Sequence, residues 1–161
     1  PLGQYMLCAK VGRDLTVEAQ EGSTVSLMGR EEEVDRILTL LNRKRARSLI
    51  ITGDPGVGKT VLVEGVAERI AKGQVPRFLM KTRVIQTSFA DIWGYVGDSE
   101  DFAKYIRTLK QFLKECQDLP AIVFIDEIHS IFAHPYSMQY VRPFLSSGRL
   151  TIIGATTDHE Y

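Results

Sequence analysis

Gly53-Asp54-Pro55-Gly56-Val57-Gly58-Lys59-Thr60 carries the spacing G-x-x-x-x-G-K-T, and its flanks restrict this part of the chain to a strand, a loop and a helix in that order. Leu49 to Thr52 lead in with the apolar character of a short strand, and Val61 to Ile70 lead out at helical spacing. The chemistry needs this order. Glycines let the backbone wrap an anion, and the N–H groups of the loop and of the helix start at Val61 point at phosphate oxygens. Lys59 would then reach the β- and γ-phosphates of a nucleotide, and the Thr60 hydroxyl would hold Mg²⁺.

A chain of 161 residues is one domain's worth, long enough to bury a core around such a loop. Twenty basic residues balance twenty acidic ones, so no global charge draws the chain to nucleic acid or to a membrane surface. Cys8 and Cys116 match no metal-ligand spacing and read as small buried residues in a reducing compartment. No run approaches the ~20 apolar residues of a membrane span, and the first residues lack a basic-then-apolar leader. Pro1-Leu2-Gly3 reads as a linker remnant and stays outside the fold argument.

Residues 4–28 contain no long periodic segment and read as an N-terminal arm, with Arg13-Asp14-Leu15-Thr16 starting a short helical turn. The nucleotide-binding unit is assigned to 29–161. Val34, Ile37, Leu38 and Leu41 predict an amphipathic helix, and Glu31, Glu32 and Glu33 suit the dipole of its first turn. After the glycine-rich loop, Leu62, Val63, Val66, Ala67 and Ile70 predict a buried helix that Gly73 ends. Arg83 to Thr87 reads as a second strand, Ser88 to Ser99 as a turn-rich segment, and Phe102, Ile106, Leu109, Leu113 and Cys116 as one face of a long helix. Ala121 to Ile125 is a continuous apolar run, the mark of a strand covered on both faces. A helix over about 138–147 and a strand over 150–155 follow. Strands alternating with helices predict a three-layer α/β domain with a mostly parallel sheet and helices on both faces.

The buried third strand ends in Asp126-Glu127, which places two carboxylates at the edge of the sheet where ligands gather. Asp126 is expected in the Mg²⁺ shell, and Glu127 is expected to orient and deprotonate the attacking water. Thr156 and Thr157 end the fourth strand in the same way, so a hydroxyl there is placed for the γ-phosphate or that water. His129 reads as structural, and His134 and His159 have no partner at metal-ligand spacing. Trp93 and Tyr95 lie in a polar stretch interrupted by Gly94 and Gly97 and without periodicity, which favours one of them as an exposed contact.

Several stretches together resemble the first ATPase domain of the Clp family of AAA+ unfoldases, the ClpA, ClpB and ClpC type. They are Gly12 to Thr16, Met28 to Glu33, Gly53 to Thr60, Val63 to Gly65, Ile70 to Pro76, Phe124 to His129, Leu145 to Gly148 and Ile153 to Tyr161. The resemblance implies a P-loop fold and a ring, usually of six subunits, that binds ATP between neighbours and threads unfolded or aggregated protein through a pore. It implies work in the cytoplasm or an organelle matrix or stroma, with a peptidase as an optional partner and no nucleic acid or membrane. Residue by residue, it makes Lys59 and Thr60 the Walker A pair, Asp126 and Glu127 the Walker B pair, and Thr157 the sensor of the γ-phosphate. It places Leu27 and Met28 against adenine and Tyr95 on the pore loop as the gripping residue.

Three departures accompany the resemblance. The loop reads Gly94-Tyr95-Val96-Gly97 where the family usually has Lys-Tyr-Arg-Gly; the Ser130 to Ser137 stretch is shorter than the family's; and the family's arginine fingers, last strand and helical lid lie past Tyr161. A neighbour's arginine is worth ~10³ to 10⁵ in rate, so these residues alone are expected to bind ATP better than they hydrolyse it, with the edge of the phosphate-loop strand unpaired. A nucleic-acid-directed AAA+ motor and a nucleotide-responsive scaffold are the competing readings. Neutral charge disfavours the first, and the intact motifs disfavour the second.

Overall fold

The computed structural model describes residues 6–22, 30–42, 48–53, 58–97, 102–119, 121–132, 135–146 and 150–157. A five-stranded sheet runs through its centre in the order β1-β3-β4-β5-β2. Its strands are β1 (Arg13–Asp14), β2 (Leu49–Ile51), β3 (Arg83–Ser88), β4 (Ala121–Asp126) and β5 (Thr151–Ala155). The last four pair in parallel, and β1 closes the β3 edge antiparallel through Arg13 opposite Gln86 and Asp14 opposite Ile85. This is the mostly parallel α/β architecture expected from the alternating pattern. At the other end, β2 pairs with β5 and its Ile50 is exposed.

Period-two alternation along the strands sorts side chains between two cores. Ala121, Val123 and Ile125 of β4 face one core with Ile85 and Ile152; Ile122 and Phe124 face the other with Val84, Ile153 and Ala155. On the first face pack α1 (Met6–Val11), α5 (Phe89–Val96), α6 (Phe102–Asp118), α7 (Ile128–Phe132) and α8 (Pro135–Ser146). The second face is covered by α2 (Leu15–Gln20), α3 (Glu31–Leu41) and α4 (Lys59–Ala71).

The helices with clear apolar stripes form where the pattern places them. Val34, Ile37, Leu38 and Leu41 are all buried on α3, and Ile106, Leu109, Leu113 and Cys116 on α6. Gly73, at φ +71°, ends α4 in a left-handed turn: its N–H bonds to Ile70 O at 3.1 Å and that of Gln74 to Arg69 O at 2.8 Å.

Two segments differ from expectation. Residues 6–22 do more than lead in: α1, β1 and α2 send Leu7, Cys8 and Val11 into one core and Leu15 into the other. A two-residue strand and six-residue helices are too short for periodicity to register. Asp14 fixes the corner, because its carboxylate caps α2 by accepting from the Thr16 and Val17 N–H groups and pairs with Arg83 at 2.9 Å. The turn-rich reading of 88–99 is also corrected, since Phe89–Val96 form helix α5. Ser88 Oγ accepts from Asp91 N–H at 3.1 Å as its cap, and burial of Ile92 and Val96 four residues apart outweighs the cost of Gly94 inside it.

Candidate functional site

A cleft of about 350 Å³ opens at the C-terminal ends of the parallel strands, lined by Gly58, Lys59, Thr60, Asp126, Glu127, His129, Ala155, Thr156 and Thr157. Three positions in the chain converge there: the start of α4, the turn between β4 and α7, and the end of β5. Each is placed by a strand or helix whose apolar residues are fixed in one of the two cores.

On the first side, Gly58 caps α4 with φ +83°, a left-handed conformation that a side chain would strain. Arg30, at the start of α3, donates from Nη1 to the Gly58 carbonyl at 3.3 Å, and a Cβ on Gly58 would lie 2.9 Å from that nitrogen. Lys59 arches back so that its ammonium donates to the Gly53 carbonyl at 2.9 Å, spanning the mouth of the loop. Asp54 to Val57, together with Leu27 and Met28, lie outside the described residues.

On the second side, Glu127 takes φ +51°, an uncommon conformation for a residue with a side chain. Local hydrogen bonds hold it there. Asp126 Oδ1 accepts from the Glu127 N–H at 2.9 Å, and the Glu127 carbonyl accepts from the Ser130 N–H at 2.9 Å. The turn leaves the Glu127 side chain exposed in the cleft and the Asp126 side chain half-buried beside it. Gly154 lets α7 approach, because a Cβ there would meet Ile128 Cδ1 at 2.6 Å.

On the third side, the Thr156 N–H donates to the Ile51 carbonyl at 3.0 Å, which carries the pairing of β5 with β2 one step beyond the strand. Thr156 is buried, and its hydroxyl lies 2.8 Å from His129 Nδ1; Thr157 is half-buried at the cleft wall. Both threonines offered by the sequence thus line the cleft, and the Thr156 hydroxyl is engaged with a histidine. The Arg30–Gly58 and His129–Thr156 contacts join residues 28 and 27 positions apart, and no local pattern in the chain announces either.

Tyr95 stands away from the cleft on the last turn of α5, where it is exposed. Trp93 turns inward instead, stacked on Phe89 with ring centroids 5.9 Å apart and edge-on to Tyr105 at 5.0 Å. His134 and His159 lie outside the described residues. Among the described residues no three His, Cys, Asp or Glu side chains converge as a metal cluster, and no helix is long and apolar enough to cross a membrane.

The family model for the ATPase family associated with various cellular activities (AAA) matches residues 49–160. Over its whole length the chain is 37% identical to the chloroplastic chaperone protein ClpB3 of Arabidopsis thaliana and 37% identical to the chaperone protein ClpB 1 of Synechococcus elongatus; it spans 17% and 19% of their lengths. Among solved structures it is similar to the Saccharomyces cerevisiae Hsp104–ADP complex, with a TM-score of 0.84 and 32% identity over 96% of this chain and 22% of that one. The extended Hsp104–casein complex gives a TM-score of 0.84 at 28% identity, over 96% of this chain and 27% of that one.

Proposed function

The chain belongs to the AAA family of ATPases, and from that premise we propose that its cleft binds ATP and supports its hydrolysis within a Clp-type ring that threads polypeptides. The observation that carries this reading is the convergence of Lys59, Thr60, Asp126, Glu127 and Thr157 on one cleft. Similarity to ClpB chaperones along the whole chain, and to an Hsp104 solved with ADP, supports the nucleotide assignment.

The resemblance assigns the roles, and the shared cleft supports those of the residues that line it. Loop residues Gly53 to Gly58 and the N–H groups at the start of α4, Val61 among them, receive the phosphates. The Lys59 ammonium exchanges the Gly53 carbonyl for β- and γ-phosphate oxygens. Thr60 and Asp126 supply a hydroxyl and a carboxylate on one cleft, a hard-oxygen pair that fits Mg²⁺, which takes one or two protein ligands beside substrate phosphates and water. Bound there, Mg²⁺ would offset phosphate charge as it builds in the transition state. Glu127, exposed on its left-handed turn, accepts a proton from the attacking water, and Thr157 contacts the γ-phosphate from the end of the neighbouring strand β5. Leu27 and Met28 hold adenine.

Beyond the cleft, we assign Tyr95 to gripping the translocating chain. Its exposure at the end of α5 supports this, as does the capture of an Hsp104 relative with casein. We place the ring of neighbouring subunits, usually six, in the cytoplasm or an organelle stroma or matrix.

Substitution in the full-length protein tests the reading. Lys59→Ala should abolish ATP binding, whereas Glu127→Gln should preserve binding and block turnover. Unchanged turnover in Glu127→Gln would remove the water-activating role.

A further inference from the structure

Away from the cleft, the fold joins two thiols that are 108 positions apart in the chain. Cys8 on α1 and Cys116 on α6 are both fully buried, with their Sγ atoms 3.4 Å apart. Glu115, itself buried, holds the two helices in this alignment: its carboxylate accepts the Leu7 N–H at 3.0 Å and the Cys8 N–H at 3.4 Å. A disulfide is ~2.05 Å long, so closing the pair needs a sulfur approach of about 1.4 Å. Closure would draw on rotation of the two thiols and a slight settling of the short helix α1.

We propose that Cys8 and Cys116 form a redox-reactive dithiol that closes to an intramolecular disulfide and pins α1 on α6. The oxidant is a low-molecular-weight disulfide such as oxidised glutathione. One protein thiol loses its proton and attacks a glutathione sulfur, which breaks the glutathione S–S bond and expels one glutathione thiolate. The second protein thiol, deprotonated in turn, attacks the mixed disulfide and expels the other. Two protein thiols give up two electrons and two protons; one glutathione disulfide becomes two thiols.

The docked pair is held back from this reaction. Its hydrogen bond to Cys8, and then burial, push the Cys116 thiol far above the ordinary range, so it keeps its proton while α1 is seated. Oxidation therefore waits on local opening of α1, which Glu115 opposes through the two backbone N–H groups.

The test incubates the full-length protein with oxidised glutathione and maps its peptides without reduction. A Cys8–Cys116 cross-linked peptide is expected, with both thiols lost together and restored by dithiothreitol. Glu115→Gln should speed thiol loss roughly tenfold, the change expected from weakening one charge-assisted hydrogen bond. Three results overturn the proposal: separate glutathione adducts on the two cysteines, disulfides between chains, or retention of both thiols where the urea-unfolded chain reacts fully. A rate unchanged by Glu115→Gln overturns the gating role of α1.

Discussion

Gly154→Ala places one methyl group where β5 meets α7 and asks whether that contact sets the geometry of the cleft. The new Cβ would lie 2.6 Å from Ile128 Cδ1, 3.0 Å from its Cγ2 and 3.2 Å from its Cβ. Rotating the end of the Ile128 chain relieves the first contact. Cγ2 moves only if the β-branched side chain turns about its Cα–Cβ bond, and Cβ is bonded directly to the backbone of α7, so the helix itself must retreat by a few tenths of an ångström. Overpacking of this kind costs ~1–3 kcal/mol, and Gly→Ala returns ~0.4–1 kcal/mol by restricting the unfolded chain. A net loss of about 1–2 kcal/mol is expected by these two estimates together, readable by urea denaturation. Because Ile128 directly follows Glu127, the retreat displaces the proposed water-activating carboxylate more than the loop at Gly58. Hydrolysis should fall further than binding of a fluorescent ATP analogue, both measured in the full-length protein. Ile128→Ala removes Cδ1, Cγ1 and Cγ2, and in the Gly154→Ala background it should show a coupling of ~0.5–3 kcal/mol. Strict additivity of the pair, or a destabilised Gly154→Ala protein that hydrolyses at the parental rate, would refute the reasoning.

Gly58→Ala should weaken nucleotide binding at least tenfold by calorimetry, since it combines φ +83° with a Cβ 2.9 Å from Arg30 Nη1. Asp14→Ala removes a helix cap and an ion pair whose carboxylate is buried, so it should cost roughly 2–3 kcal/mol in urea denaturation, and Asp14→Asn, which keeps the cap, should cost less. Burial raises the Tyr105 phenol from its ordinary 10.0 to about 12. Its contribution to stability is therefore intact below pH 10 and falls as pH rises towards 12, where the unfolded chain releases a proton that the folded chain keeps; Tyr105→Phe should flatten that decline in pH-dependent denaturation. A double-mutant cycle of His129→Leu and Thr156→Val should be non-additive in hydrolysis rate, and His129→Asn, which retains a donor near Nδ1, should recover part of the loss.

What the sequence made legible follows the length and regularity of each element. Continuous apolar strands such as Ala121 to Ile125, and long stripes such as those of α3 and α6, bury enough side chains to declare themselves. The meeting of Gly58, Lys59 and Thr60 with Asp126 and Glu127 on one cleft was legible because the chemistry proposed for them requires fixed residue types at fixed spacing. Shorter devices were not. The arm became α1, β1 and α2 because Asp14 bonds two adjacent amides and one distant arginine, and only the local half of that arrangement is written in consecutive residues. An exposed aromatic was legible without a choice between Trp93 and Tyr95, and the helix that carries both was not: two glycines suggested a loop where the Ser88 cap and the buried Ile92 and Val96 sustain a helix. The braces at Arg30 and His129 arise from tertiary proximity alone.

The cleft depends on register more than on any single contact. Lys59 and Thr60 belong to a helix seated on one core, whereas Glu127 leads into α7, which is seated on the other. These halves meet through the sheet, in which Phe124 of β4 stands beside Ile153 of β5, and Ala155 of β5 beside Ile51 of β2. A slip of one residue in β5 would exchange Ile153 and Ala155 with Ile152 and Gly154 between the two faces. It would also carry Thr156 away from both the Ile51 carbonyl and His129. Because any side chain brought to the Gly154 position would meet Ile128, such a slip is costly, so the packing that stabilises the domain also fixes the spacing between the lysine that would bind phosphate and the glutamate that would activate water.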